Sequence, residues 1–218
     1  MFHYIGPIAH GIGSTLTITF AAYAIGLVLG IPIVVARSSR LRVVRLLAIS
    51  FVEIFRGIPG IAWLFILYYG LAQLDVQISS MTAAICGLGL IAAAYMAEIY
   101  RAGLRAVPHG QFEAARALGM GTVQVYRSIV GPQAFVTSFP PAATYVIGLL
   151  KESAVASVIG AQEITGVALG QQQEASTQGL SVFLAASAVY LALSLPLAGI
   201  ARYADVWLAR RVAGAEAA

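Results

Sequence analysis

The sequence is short of charge. Of its 218 residues 10% are Asp, Glu, Lys or Arg and 60% are hydrophobic, and the mean hydropathy is +0.86. A soluble domain carries about 25% charged residues. Too little charge remains here to solvate a surface, so lipid must be the solvent for much of the chain. Cysteine is almost absent. Cys86 alone excludes an internal disulfide and any cysteine-based metal cluster. It lies beside Gly87 and Gly89 in an apolar run, where a small buried thiol is expected. His3, His10 and His109 show no ligand-like spacing, so a metal site built from this chain alone is not expected. Lysine is reduced to Lys151, with no G-x-x-x-x-G-K-[ST] phosphate cradle around it, so ATP binding is not expected either. G-x-S-x-G and H-E-x-x-H are missing, which argues against an intramembrane serine or zinc protease. The start, Met1-Phe2-His3-Tyr4, lacks the basic region of a signal peptide, and the whole chain is read as mature.

What is present is arginine at the ends of apolar runs. The net charge is +4, but its placement orients helices and does not form a groove tracking phosphates. Five apolar segments, about 14–36, 46–72, 78–100, 134–150 and 180–208, are long enough to cross about 30 Å of hydrocarbon once kinks are allowed. Ser14-Thr15 reads as the cap of the first. The second is interrupted by Glu53, Arg56 and Gly57-Ile58-Pro59-Gly60, and the fourth carries Pro140-Pro141. Arg37, Arg40, Arg42 and Arg45 lie between the first two spans, Arg101, Arg105, Arg116 and Arg127 between the third and fourth, and Arg202, Arg210 and Arg211 after the fifth. The opposite loops hold Asp75, and Lys151, Glu152, Glu163 and Glu174. The positive-inside rule then puts the N-terminus outside and the C-terminus in the cytoplasm. The expected fold is an all-α, five-span membrane bundle forming one domain over 1–218.

Two connections are too long and too patterned to be plain loops. The outer stretch 151–176 is Gly- and Gln-rich and reads as a re-entrant or interfacial hairpin. The cytoplasmic stretch 110–132 carries Gly110-Gln111-Phe112-Glu113-Ala114-Ala115-Arg116-Ala117-Leu118-Gly119-Met120-Gly121. Helix formers precede Gly119, with Phe112, Ala115 and Leu118 on one face. Gly119 and Gly121 bracket a break, and Thr122 reads as the cap of a second short helix over 123–130, ended by Gly131-Pro132. Small Ala114 and Ala115 admit a close partner surface, while Glu113 and Arg116 can be read by that partner's polar groups.

Glu113-Ala114-Ala115 followed by Gly119 and Ile129-Val130-Gly131-Pro132 resembles the EAA loop of bacterial ABC importer permeases. Glu53-Ile54-Phe55-Arg56-Gly57-Ile58-Pro59, Ala94-Tyr95-Met96-Ala97-Glu98-Ile99-Tyr100-Arg101, Val107-Pro108-His109-Gly110 and Leu150-Lys151-Glu152-Ser153 are similar, in the same order, to the histidine/glutamine/arginine-type polar amino acid permeases. Three places depart from that pattern: Gly131-Pro132 stands where Leu-Pro is usual, Glu152-Ser153 where Asp-Thr or Asp-Ser follows the lysine, and Ala154-Val155 where a Leu or similar residue is common. The resemblance implies the type I importer permease fold in a bacterial inner membrane, with polar amino acids as cargo and no catalytic residue. It implies cytoplasmic ATPases, which bind ATP and Mg, at Gly110, Glu113, Ala114, Ala115, Gly119 and Pro132. A second identical or homologous permease, an outside solute-binding protein and membrane lipid complete the expected partners.

The remaining charges keep more than one reading. Glu53 and Arg56, three apart on one helical face, read as a structural pair steadying the break at Pro59, or as a substrate contact. Pro59 reads as a kink and a natural hinge for a gate. Glu98 and Arg101 repeat the spacing near a span end, where snorkelling and pairing suffice. Lys151, Glu152, Ser153 and Glu163 read as a polar substrate pathway, a local ion pair, or a docking surface for a binding protein. Gly26 and Gly30 have the small-xxx-small spacing of packed membrane helices. The rival reading, a self-sufficient channel or secondary transporter, usually brings internal repeats and intramembrane charge relays, and neither is visible.

Overall fold

A computed structural model describes residues 2–175 and 179–216, with side chains over 3–173 and 179–208. Ser176 and the side chains of Glu174, Arg210 and Arg211 lie outside the described residues. Ten α-helices follow one another with no strand among the described residues: α1 Phe2–Ala9, α2 Ile12–Arg37, α3 Arg42–Gly57, α4 Gly60–Phe65, α5 Ser80–Ala106, α6 His109–Ala117, α7 Thr122–Val125, α8 Gly131–Glu152, α9 Ile164–Ala175 and α10 Gly179–Glu216. Wider π turns extend α4 over Ile66–Gly70 and α7 over Tyr126–Val130, and a 3-10 turn over Ser153–Ile159 follows α8. Hydrocarbon offers the backbone no hydrogen bonds, so each spanning segment must satisfy its own, which is why the apolar runs are helices.

Four stretches among the described residues are long and apolar enough to cross a membrane: Ile12–Arg37, Ser80–Ala106, Thr122–Ile159 and Gly179–Leu208. A fifth is the pair α3 and Gly60–Gly70, bent by 105° at their junction. Ile58 and Pro59 are extended there, with ψ of 133° and 141°. Proline removes an amide donor and restricts the residue before it, so the helix ends and restarts at a new angle. The Pro140-Pro141 pair, by contrast, sits inside a continuous α8.

The packing axis is α2 against α5. A Cβ at Gly26 would lie 2.7 Å from the Ala92 Cβ, and one at Gly30 would lie 2.7 Å from the Met96 Cβ. The two backbones therefore approach closely through small residues, as membrane helices do where lipid supplies no hydrophobic drive. Around this axis Ile18, Ala22, Leu64, Leu88, Ile91 and Leu149 form the main core. A second core, Ile8, Ile164, Ala168, Val182 and Ala185, joins α1, α9 and α10.

Several local expectations are corrected. Cys86 is exposed, not buried; the 100° step of a helix turns it away from the buried face that holds Gly87 and Gly89. Ser14-Thr15 does not cap α2, which starts at Ile12; Thr15 is a buried interior residue with long-range bonds. Thr122 is the first residue of α7 behind Gly121, with no side-chain cap. The N-terminal α1 had no counterpart among the expected spans. The described part of the stretch 151–176 ends α8 and forms a 3-10 turn, a left-handed turn at Gly160 (φ 82°) and α9.

Candidate functional site

Three features concentrate polar chemistry: a helical hairpin between α5 and α8, a cavity at the α3–α4 break, and the carboxylates of half-buried Glu98 and fully buried Glu163.

The hairpin is α6 and α7 with their connecting turn. Helix α6 closes with paired bonds: the Met120 N–H donates to the Ala115 carbonyl (3.1 Å) and the Gly119 N–H to the Arg116 carbonyl (2.9 Å). This closure needs a left-handed residue, and Gly119 has φ 73°. Val107, Ala115, Val125, Val130 and Ala134 anchor the hairpin to the bundle, with Phe112 and Met120 packed on them. The other face is bare. Gly110, Glu113, Ala114, Arg116 and Ala117 are exposed, and Leu118 and Val123 are 80% and 81% exposed. Of the expected apolar face, Phe112 and Ala115 turn inward and Leu118 turns outward. Gly121, Thr122, Val123, Gln124, Arg127 and Ser128 line an open concavity beside it. Pro132 stands at the start of α8, where its missing amide donor costs nothing.

The cavity, about 280 Å³, is lined by Phe55, Arg56, Gly57, Ile58, Pro59, Gly60, Ile91, Tyr95 and Glu152. The 105° bend opens it, because no helix fills the inside of the turn. Arg56 lies over the Tyr95 ring at 5.0 Å, a placement in which a guanidinium is attracted by the ring face. Tyr95 stacks on Tyr145 at 5.2 Å, and Phe55 stacks on Trp63 at 4.1 Å. Glu152, the last residue of α8, faces Gly60 closely: a Cβ at Gly60 would lie 2.8 Å from Glu152 Oε1. One cation and one carboxylate therefore stand on the same small cavity. Around it Trp63 Nε1 and Tyr145 Oη are buried without a hydrogen-bond partner.

The expected Glu53–Arg56 pair is not made. Glu53 is exposed and forms no ion pair among the described residues, while Arg56 turns toward Glu98, with 3.9 Å between Nη1 and Oε1. Three residues along a helix do face alike, but the helix end leaves Arg56 free to reach α5. Glu98 pairs with Arg101 through two bonds, one of them 2.8 Å from Nε, and its other oxygen takes a bond from Arg37.

Lys151, Glu152, Ser153 and Glu163 are not brought together. Lys151 is exposed and does not line the cavity. Ser153 is buried, its hydroxyl donating to the Leu150 carbonyl at 2.8 Å. Glu163 is fully buried in a network of its own, in the turn between spans. It accepts bonds from the Gly166 N–H (2.7 Å) and the Tyr190 hydroxyl, and a longer one from Thr15 at 3.5 Å. Thr15 in turn accepts the Ile164 N–H at 3.1 Å. Burial pushes the Glu163 carboxyl above its ordinary value, opposed by these donors. The sequence reading missed Tyr95 and Tyr145 as cavity partners, since aromatic belts explain tyrosines in spans equally well.

Residues 22–210 match the family described as binding-protein-dependent transport system inner membrane component. Among similar proteins, the nopaline transport system permease NocM of Agrobacterium fabrum is 36% identical over 205 residues, 89% of this chain and 85% of its own. The arginine transport system permease ArtQ of Bacillus subtilis is 37% identical over 196 residues, covering 89% of each. Among solved structures, that of an amino acid ABC transporter with histidines superposes with a TM-score of 0.89 at 34% identity, covering 94% of this chain and 95% of the other. The methionine transporter MetNI, inward facing, gives 0.70 at 25% identity, covering 91% and 96%.

Proposed function

This chain belongs to the family of binding-protein-dependent transport system inner membrane components, and we propose that it carries an amino acid through the cavity walled by Arg56 and Glu152. It is the membrane-embedded permease subunit of an amino-acid ABC importer. It is not itself an enzyme; ATP is hydrolysed by a partner ATPase, and a substrate-binding protein delivers the cargo. The single observation that carries the cargo reading is the pair of opposite charges on one small cavity. A zwitterionic amino acid needs a cation or N–H-rich site for its carboxylate and an anionic group for its ammonium. Arg56 serves the first and Glu152 the second, with the stacked Tyr95–Tyr145 and Phe55–Trp63 rings beside them.

The exposed face of the hairpin serves the ATPase. Glu113 and the small Ala114, with Gly110 before them and Gly119 and Pro132 after, present that face, whereas the expected contact Ala115 points inward and anchors the projection to the bundle. Leu118 and Val123 give that surface an apolar centre of the kind protein partners bury. ATP and Mg sit on the ATPase, not on this chain. The whole chain acts as one transmembrane domain with its N-terminus outside and its C-terminus in the cytoplasm, as the arginine placement requires. A second permease, identical or homologous, encloses the pathway from the other side, within membrane lipid. The test is substrate-stimulated ATP hydrolysis in proteoliposomes with the ATPase and binding protein. Arg56→Gln and Glu152→Gln should each abolish stimulation by amino acid while leaving basal hydrolysis; full stimulation in both excludes the cavity as the passage.

A further inference from the structure

Glu98 is shared by three guanidinium groups from three helices. Arg37, at the end of α2, bonds its Oε1, and Arg101, one turn along α5, bonds its Oε2. Arg56, at the end of α3, stands 3.9 Å from the same Oε1, inside ion-pair range and beyond a hydrogen bond. Both carboxylate oxygens are thus already engaged, and three positive charges face one negative charge. Arg56 is held by the field of Glu98 and by the face of Tyr95 at 5.0 Å, not by a bond of its own. Its donors stay available to the cavity it lines.

We propose that Glu98 is a positioning residue for substrate: it holds Arg56 at the cavity wall against the repulsion of Arg37 and Arg101. The inference rests on the reading that Arg56 receives the cargo's carboxylate. The sign of the effect follows from the charge count. Without the Glu98 carboxylate, Arg37 and Arg101, 11% and 27% exposed, repel Arg56, which at 37% exposed is the least buried of the three. Arg37 and Arg101 lie within or at the end of long packed helices, whereas Arg56 sits where α3 breaks. Arg56 is therefore the group that moves, and the cavity loses its cation.

The experiment measures amino acid affinity by calorimetry on the complete permease–ATPase complex, using the twenty proteinogenic amino acids and, for the one bound most tightly, its decarboxylated amine. Glu98→Gln should weaken amino acid binding about tenfold, the scale on which a buried charge partner acts. The decarboxylated amine, which has nothing for Arg56, should bind both proteins alike. Glu98→Asp keeps the charge and should stay within about threefold of the parent. The decisive variant is Glu98→Gln combined with Arg37→Gln. Removing one repelling cation should recover at least about threefold of the lost affinity, whereas a merely structural role would make the double variant worse than Glu98→Gln alone. Parental affinity in Glu98→Gln, or a double variant weaker than the single, overturns the proposal. Should Glu98→Gln fail to assemble, a tenfold loss in Glu98→Asp overturns it equally. Parental affinity in Arg56→Gln is a separate outcome that removes the cavity reading itself.

Discussion

Replacing Gly26 with alanine tests the α2–α5 axis on which the cavity and the hairpin hang. The added Cβ would lie 2.7 Å from the Ala92 Cβ, 3.0 Å from its carbonyl carbon and 3.2 Å from its carbonyl oxygen. Carbon atoms prefer about 3.5–4.0 Å, so the two backbones must part by about 1 Å. The obstacle is a backbone and a methyl, neither of which can rotate away. Overpacking of this kind costs about 1–3 kcal/mol. Alanine recovers about 1 kcal/mol of helix propensity, leaving a net loss of about 0–2 kcal/mol. Detergent-induced unfolding of the purified permease in mixed micelles reads this directly. Ala92→Gly alone should destabilise by about 0.5–1 kcal/mol through lost helix propensity. In the Gly26→Ala background the same change should instead stabilise, because it removes the nearest overlapping atom. An Ala92→Gly penalty that simply adds in the Gly26→Ala background, or a Gly26→Ala protein more stable than the parent, would refute the close approach as the source of packing.

Two further outcomes follow from other parts of the molecule. Gly119→Pro forces φ to about −65° where 73° is observed, and Glu113→Lys reverses a charge on the exposed hairpin face; both should detach the ATPase in co-purification while membrane insertion is unchanged. Glu163→Gln keeps the shape of a fully buried group while removing its titration. Because burial raises the folded carboxyl above its unfolded value, the protonated form is favoured on folding. That stability is fully present below the unfolded pKa and lost as pH rises through the raised one, so the parent's melting temperature should fall relative to Glu163→Gln across that interval. Glu163→Ala should cost about 1–3 kcal/mol at any pH by orphaning the buried Gly166 N–H, while the Tyr190 hydroxyl keeps Thr165 at 3.2 Å.

Much of the fold was legible because lipid imposes it. Arginine-bounded apolar runs, small residues at Gly26 and Gly30, and the break at Gly57–Gly60 are each local signals with one physical meaning. The hairpin was legible for the same reason: helix formers followed by Gly119 leave few alternatives for the chain. What escaped were choices of partner across the fold. Arg56 and Glu53 face alike on one helix, yet Arg56 turns to Glu98 on α5, because a neighbouring helix offered a better-buried carboxylate. Thr15 looks like a cap from its position after Gly13, yet α2 begins three residues earlier and the hydroxyl serves Glu163, 148 positions away. The cavity itself was illegible, since it exists only where the bend brings Arg56 opposite the end of α8.

The central claim is that transport through this chain is driven from outside it. The most direct measurement is uptake of labelled amino acid into proteoliposomes containing this permease, its partner permease, the ATPase and the binding protein. Uptake should require ATP and the binding protein together, and should vanish with Glu113→Lys at unchanged permease content. Accumulation by this chain without ATP or the ATPase, as a channel or secondary transporter would give, contradicts the account.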